Sequence, residues 1–331
     1  MTELSLAAGA LFGLPLPELW FGLLFFILGT FLVLDGFDFG VGALFALRDA
    51  HDREQLIAAI GPFWDGNEVW LVVFGGALFA AFPTVYAALF SRHYLLMFAI
   101  LGALILRGLA PEMYEQRPDD RWRRWWGRAF VVGSLAAPFF LGLFTANWAL
   151  GATGTLTLPG VVVGLAVVAL TVVDGAAFLR LKTRGQLQVD LRSDAQRAIG
   201  AYLLLVVAAL ATIYATTPTV RPALVSPVVL ALVVLTVGLA LGYVVAIRRD
   251  RHYLAFTAVV GLVFALVAVV ARLTYPYVDR AAGITVREGI VSTLSLNLMS
   301  IGAAVLLPLV FLYFVVLYTT FSGPIEAGET Y

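Results

Sequence analysis

The strongest constraint on this chain is a succession of apolar runs, each long enough to cross a bilayer. A spanning helix needs about 20 predominantly apolar residues. Nine stretches meet that length: about 18–47, 56–82, 84–110, 126–148, 158–181, 196–217, 223–247, 252–273 and 290–321. In hydrocarbon only helices and closed barrels satisfy their own backbone polar groups, and unbroken apolar runs of this length select helices. The expected class is an all-α integral membrane protein with nine transmembrane helices. Composition agrees: 61% of the 331 residues are hydrophobic and 13% charged, with a mean hydropathy of +0.95, where soluble domains are about a quarter charged. The longest pieces between runs are 111–125, 182–195 and 274–289, so residues 1–331 read as a single transmembrane domain. The first run is long and lacks an A-x-A-like cleavage site after it, and it reads as a retained helix.

The connecting loops give an orientation. Arg48 and Arg53 follow the first run, and Arg117, Arg121, Arg123, Arg124 and Arg128 follow the third. Arg180, Lys182, Arg184, Arg192 and Arg197 surround the fifth junction, and Arg248, Arg249 and Arg251 the seventh. The alternate loops hold only Arg221, Arg280 and Arg287, with Arg272 at a helix end. Cytoplasmic loops are enriched in Lys and Arg. The N-terminus is therefore expected outside and the C-terminus in the cytoplasm, as an odd number of spans requires. VLDG (33–36) in the first run and VVDG (172–175) in the fifth form a weak internal echo between two runs of the same direction. It fits two four-helix units plus one further helix.

A formal net charge of zero argues against a nucleic-acid partner. The chain has no cysteine, which removes disulfides, thiolate metal sites and cysteine-held iron–sulfur clusters. Its three histidines, His51, His93 and His252, form no pair at one depth suited to bis-histidine heme or copper ligation. His93 reads either as a single ligand or as a hydrogen-bonded interfacial residue. The four methionines, Met1, Met97, Met113 and Met299, offer little axial ligation.

Carboxyl groups inside the apolar runs carry the chemical signal. FLVLDGFDFGVG (31–42) puts Asp35 and Asp38 three residues apart, on one helical face. Gly36 and Gly40 form a small-xxx-small pair in the same segment, suited to close helix approach. GPFWDGNEVW (61–70) repeats the spacing with Asp65 and Glu68, and adds Trp64, Gly66, Asn67 and Trp70. An ionised carboxylate in hydrocarbon costs about 2.5–3.5 kcal/mol on insertion scales. Such groups persist by pairing, by facing water or by carrying a proton. Four of them on two successive helices suggest a proton path or an ion site. The competing reading is structural: interfacial aspartates on the first helix, and a helix-start cluster favoured by the dipole on the second. Arg107 is the available counter-charge, unless it only extends to the interface. Asp174 is a further intramembrane acid, and Asn147 and Asn297 are candidates for bridging helices.

These segments resemble those of a known family. GFDFGVG (36–42) and GPFWDGNEVWLVVFGGALFAAFPTVYA (61–87) resemble the signature segments of subunit II of the cytochrome bd quinol oxidases. RGLAPEMY (107–114), RWRRWWGRAFVVGSLAAPFFLG (121–142) and FLRLKTRG (178–185) follow in the family's order. The resemblance implies nine helices in two four-helix bundles plus one. It implies a heterodimer with subunit I in a bacterial or archaeal plasma membrane, and in some complexes a small accessory subunit. The complex oxidises quinol and reduces dioxygen to water without pumping protons. Hemes b and d and the quinol site belong to subunit I, so this chain binds no cofactor firmly, apart from a structural quinone found in some members. Carried over, Asp38 and Asp65 are the acids implicated in proton delivery from the cytoplasm, with Trp64, Asn67 and Glu68 in the same motif. Family members vary between glutamine and glutamate at the position of Glu68.

The expectation is that the polar residues of WDGNEVW line a proton inlet, held by close packing of the first two helices. Two rivals stand beside it: a proton-coupled secondary transporter using the same carboxylates, and a purely structural assembly subunit.

Overall fold

The computed structural model describes residues 9–324. Within them the long helices are α1 (Leu16–Phe45), α3 (Trp64–Ala81), α5 (Tyr94–Glu115), α6 (Asp120–Leu150), α7 (Leu158–Lys182), α8 (Gly185–Thr216), α10 (Pro227–Arg248), α11 (His252–Thr274) and α13 (Thr293–Thr320). Shorter helices α2 (Ala50–Ile60), α4 (Pro83–Arg92), α9 (Arg221–Leu224) and α12 (Val286–Gly289) lie in the connections, with a small antiparallel pair, β1 (Tyr277–Asp279) and β2 (Ile284–Thr285). Local chemistry sets the boundaries. The carboxylates of Asp49 and Asp119 and the hydroxyl of Thr157 accept backbone N–H groups at the starts of α2, α6 and α7. Gly151, at φ 68°, closes α6 in the left-handed conformation.

Eight of these helices are long and apolar enough to cross a membrane. The remaining long one, α3, opens on the polar residues of WDGNEVW. The continuous helix expected over 56–82 is broken: α2 ends at Ile60 and α3 starts at Trp64. Pro62 sits in the break, and with no amide hydrogen it cannot extend the helical ladder. The helix expected over 84–110 is likewise two pieces, meeting at His93 with φ −112° and ψ 28°. Conversely, α6 and α8 begin earlier than expected, at Asp120 and Gly185. The first turns of α8 are amphipathic: Leu187, Leu191 and Ala195 are buried at helical spacing while Gln186 and Asp190 face outward.

Helices α1, α3, α5 and α6 form one group and α7, α8, α10 and α11 a second, with α13 against the first. Helix α1 is the hub, touching α3, α6, α7 and α11. The two groups meet most closely where α1 crosses α7. A methyl group added at Gly40 would lie 1.9 Å from the Thr171 carbonyl oxygen and 2.7 Å from the Gly175 nitrogen. The glycine face of α1 is thus spent on α7, not on the second span as the sequence suggested. The repeated VLDG and VVDG stretches lie on α1 and α7, the leading helices of the two groups.

Contacts between loops sort them into two ends. At one end Arg48 pairs with Asp194, Arg123 with Glu54, Arg180 with Asp250, and Lys182 reaches the Phe321 carbonyl. At the other, Arg92 grips Asp279 with two bonds of 2.8 and 2.9 Å, the Trp148 indole donates to the Val278 carbonyl, and Arg287 pairs with Glu18. The basic loops identified in the sequence all fall at the first end.

Candidate functional site

One arginine organises the interior. Arg107, 1% exposed, projects from α5, and its backbone is seated against α6 at Gly133, where an added methyl would lie 2.6 Å from the Arg107 nitrogen. Its Nη2 donates to Asp35 Oδ1 at 2.7 Å and lies 3.2 Å from Asp38 Oδ2. Its Nη1 is 3.4 Å from Glu68 Oε2. The guanidinium also lies over the rings of Phe39 and Trp64, 5.2 and 5.7 Å from their centroids. The three-residue spacing of Asp35 and Asp38 therefore does what helical geometry predicts: both carboxylates reach the same cation. Three helices, α1, α3 and α5, are tied together through it.

The cluster continues toward α13. Asn67 Nδ2 donates to Asp38 Oδ2 at 2.9 Å, and the Tyr318 hydroxyl donates to Asn67 Oδ1 at 2.8 Å. Tyr318 stacks on Phe63, the residue at the break between α2 and α3, with ring centroids 4.6 Å apart. The Lys182 ammonium lies 4.9 Å from the Phe63 centroid. Accessibility falls along the group. Asp65 is exposed, Glu68 is 34% exposed, and Asp35, Asp38 and Asn67 are fully buried. Asp65 does not join the arginine cluster; it sits on the first turn of α3, three residues before Glu68.

Other candidates separate from this group or join it indirectly. Asp174 is fully buried on α7, and neither carboxyl oxygen bonds to a described residue. It faces Gly36, where an added methyl would lie 3.0 Å from Oδ2. Gly66 lies against Phe314 and Leu317 of α13, and Trp70 packs its buried indole on Phe311 and Phe314. Asn147 fixes the loop after α6 through Gly154, Thr155 and Thr157, and Asn297 holds the segment at 9–11. Tyr318 went unrecognised in the sequence. A tyrosine two residues from the end of an apolar helix is common, and nothing beside it marks a polar partner.

This is a helical membrane protein that keeps one buried cation surrounded by carboxyl groups near one end of its bundle. Comparison with known proteins makes the class specific. The model of the family described as cytochrome bd terminal oxidase subunit II matches residues 16–321. The chain is 31% identical to the cytochrome bd-I ubiquinol oxidase subunit 2 of Escherichia coli (strain K12), over 94% of this chain and 95% of that one. It is 33% identical to the cytochrome bd ubiquinol oxidase subunit 2 of Bacillus subtilis (strain 168), over 89% and 92%. A chain in the structure of the bd oxidase from Geobacillus thermodenitrificans shares the fold, with a TM-score of 0.76 at 19% identity, covering 93% of this chain and 99% of that one.

The chain belongs to the cytochrome bd terminal oxidase subunit II family. It is a multi-pass membrane protein and one subunit of an oxidoreductase complex, which implies a partner subunit. The family's complexes carry heme, so the donor set here matters. Among the described residues no group of three His, Cys, Asp or Glu side chains is placed to hold a metal ion. His93 is buried on the edge of Phe144, with neither ring nitrogen bonded to a described residue, unlike the hydrogen-bonded histidine expected. Three cavities, lined around Tyr202, around Leu28 and around Trp125, include no histidine or methionine.

Proposed function

We propose that this chain supports a heme-bearing subunit I of a bd-type quinol oxidase and carries protons to it from the cytoplasmic side. The supporting observation is the sharing of one buried arginine by three carboxyl groups of graded exposure. Asp65 collects protons at the surface, Glu68 stands at the rim, and Asp35 and Asp38 receive them beside Arg107. One guanidinium balances one carboxylate, so the charge count leaves room for protons on the others. Asn67 and Tyr318 extend the hydrogen-bonded line from Asp38 to α13. That helix is apolar around its whole circumference, with only Leu296 and Asn297 buried, as suits a surface covered by lipid or by a partner.

The quinol donor is taken from the relatives' names, and the placement of hemes b and d in subunit I from the poor donor set of this chain. In the same reading α3 is the ninth span, because it joins the two ends that the loop contacts define. The basic end faces the cytoplasm of a bacterial or archaeal cell, leaving the N-terminus outside. A structural quinone and a small accessory subunit belong to this picture by resemblance. The transporter reading has less support: such proteins break paired helices near the bilayer midplane, whereas the breaks here lie at the two ends, at 61–63 on the basic side and at His93 on the other.

The test is purification from native membranes followed by substitution. The complex is expected to contain a heme-bearing partner in stoichiometric amount, and Asp65→Asn to slow quinol oxidation several-fold with heme content unchanged. A spectrally silent monomer that moves a solute would overturn the assignment. Full activity in Asp65→Asn would restrict the path to the buried carboxyl groups.

A further inference from the structure

The segment RWRRWWGR (121–128) contributes nothing to the arginine cluster, yet it is the most densely charged and aromatic stretch in the chain. It forms the start of α6, and its residues divide by face. Arg121, Trp125, Arg128 and Val132 follow one another at steps of four, three and four residues, so they make one stripe, and all are exposed. Trp125 is 64% exposed. The stripe forms one wall of a groove of about 650 Å³ whose lining also includes Trp122, Trp126, Ala129 and, from α5, Leu106. That volume lies within the usual range for small-molecule sites, about 300–1,000 Å³.

The chemistry changes along the groove. Along α6 the lining runs from Arg121 through the three indoles to Arg128 and ends on the aliphatic side chains of Ala129 and Val132. The one acidic lining residue, Asp119, is committed to capping α6 by accepting the Trp122 N–H at 2.8 Å. Of the neighbouring arginines, Arg123 pairs with Glu54, and Arg117 stacks over the groove's own Trp122 at 4.6 Å. Among the described residues neither Arg121 nor Arg128 makes an ion pair. Arg121 and Arg128 thus flank the three indoles at the edge of the apolar zone. Indoles prefer that depth, and arginines there extend toward headgroups.

We propose that this groove is a binding site for an anionic diacyl phospholipid drawn from the adjacent leaflet. Arg121 and Arg128, on either side of the indoles, hold the phosphate-bearing headgroup from two sides, the indoles pack on the glycerol region, and the acyl chains run along Leu106, Ala129 and Val132. Charge selects the headgroup, because a basic residue at an anionic membrane surface strengthens binding about five-fold.

The test uses the intact complex purified from native membranes, with bound phospholipid quantified by mass spectrometry after detergent washing. Retention of anionic over zwitterionic lipid is expected. The double variant Arg121→Gln/Arg128→Gln is expected to weaken phosphatidylglycerol binding about 30-fold on titration into the delipidated complex. Arg124→Gln removes the same charge from the same turn without lining the groove, and is expected to change binding less than two-fold. Heme content reports that each variant has assembled. Equal losses in the double variant and in Arg124→Gln would show diffuse attraction and overturn the site. So would indifference to headgroup charge, or cross-linking of Trp125→Cys to the partner subunit in place of lipid.

Discussion

At the residue scale, the account turns on the imbalance between one cation and its acids. Arg107 cannot be deprotonated in practice, so removing its charge leaves Asp35 and Asp38 buried without their counter-charge. Breaking a buried pair from one side costs about 3–5 kcal/mol. Arg107→Met is therefore expected to lower the melting temperature of the complex sharply or to prevent recovery of this subunit. Arg107→Lys keeps the charge but loses the fork that reaches three carboxyl groups, so assembly should survive with reduced stability. Thermal unfolding of the purified complex reads both. Glu68→Gln should be mild, a few-fold in turnover, because Glu68 lies at the rim 3.4 Å from the guanidinium and an amide preserves its shape. These residues were legible in the sequence because charge in an apolar run is costly and therefore informative. Tyr318 and the exposed setting of Asp65 were not, since both depend on how α13 and the first turn of α3 pack.

At the element scale, the crossing of α1 and α7 carries the most restrictive contact. At Gly40 no methyl group can be placed without moving backbone atoms of α7, so Gly40→Ala should separate the two groups of helices. Overpacking of this kind costs about 1–3 kcal/mol, and a matching fall in thermal stability of the complex is expected. Gly36→Ala should act differently, because its neighbour at 3.0 Å is the end of the Asp174 side chain, which can turn aside. The glycine spacing announced a close helix approach but not the partner, since spacing describes one surface only. The break at 61–63 was also hidden. Hydropathy windows average over a turn, and the apolar LIAAIG (56–61) before Pro62 joins the apolar run after Glu68 into what reads as one helix. Its consequence is visible in the site, where Phe63 closes the end of the bundle against Tyr318.

At the scale of the whole molecule, the loop contacts divide the chain into a basic end and an opposite end. The natural absence of cysteine makes this division easy to test. Single cysteines at Arg117, Arg249 and Ala281, all exposed, should label in two classes. An impermeant reagent added outside whole cells should reach Ala281→Cys and leave Arg117→Cys and Arg249→Cys unlabelled. Labelling of all three, or the reverse pattern, would contradict the orientation and the count of nine spans together. The helical membrane architecture was readable from run length because spanning length is a bulk property of the bilayer, and loop charge supplies the direction that this labelling tests. The depth of the arginine cluster required coordinates.

Within this arrangement the carboxyl groups serve oxygen reduction only if protons pass through them. Asp38 is the residue on which the line converges, bonded at once to Arg107 and Asn67. Proton uptake by the purified complex, followed with a pH indicator during quinol oxidation, tests this directly in Asp38→Asn. The predicted result is uptake and turnover slowed about a hundred-fold, with heme content and spectrum as in the unsubstituted complex. Uptake at the unsubstituted rate in a complex of full heme content would contradict the account.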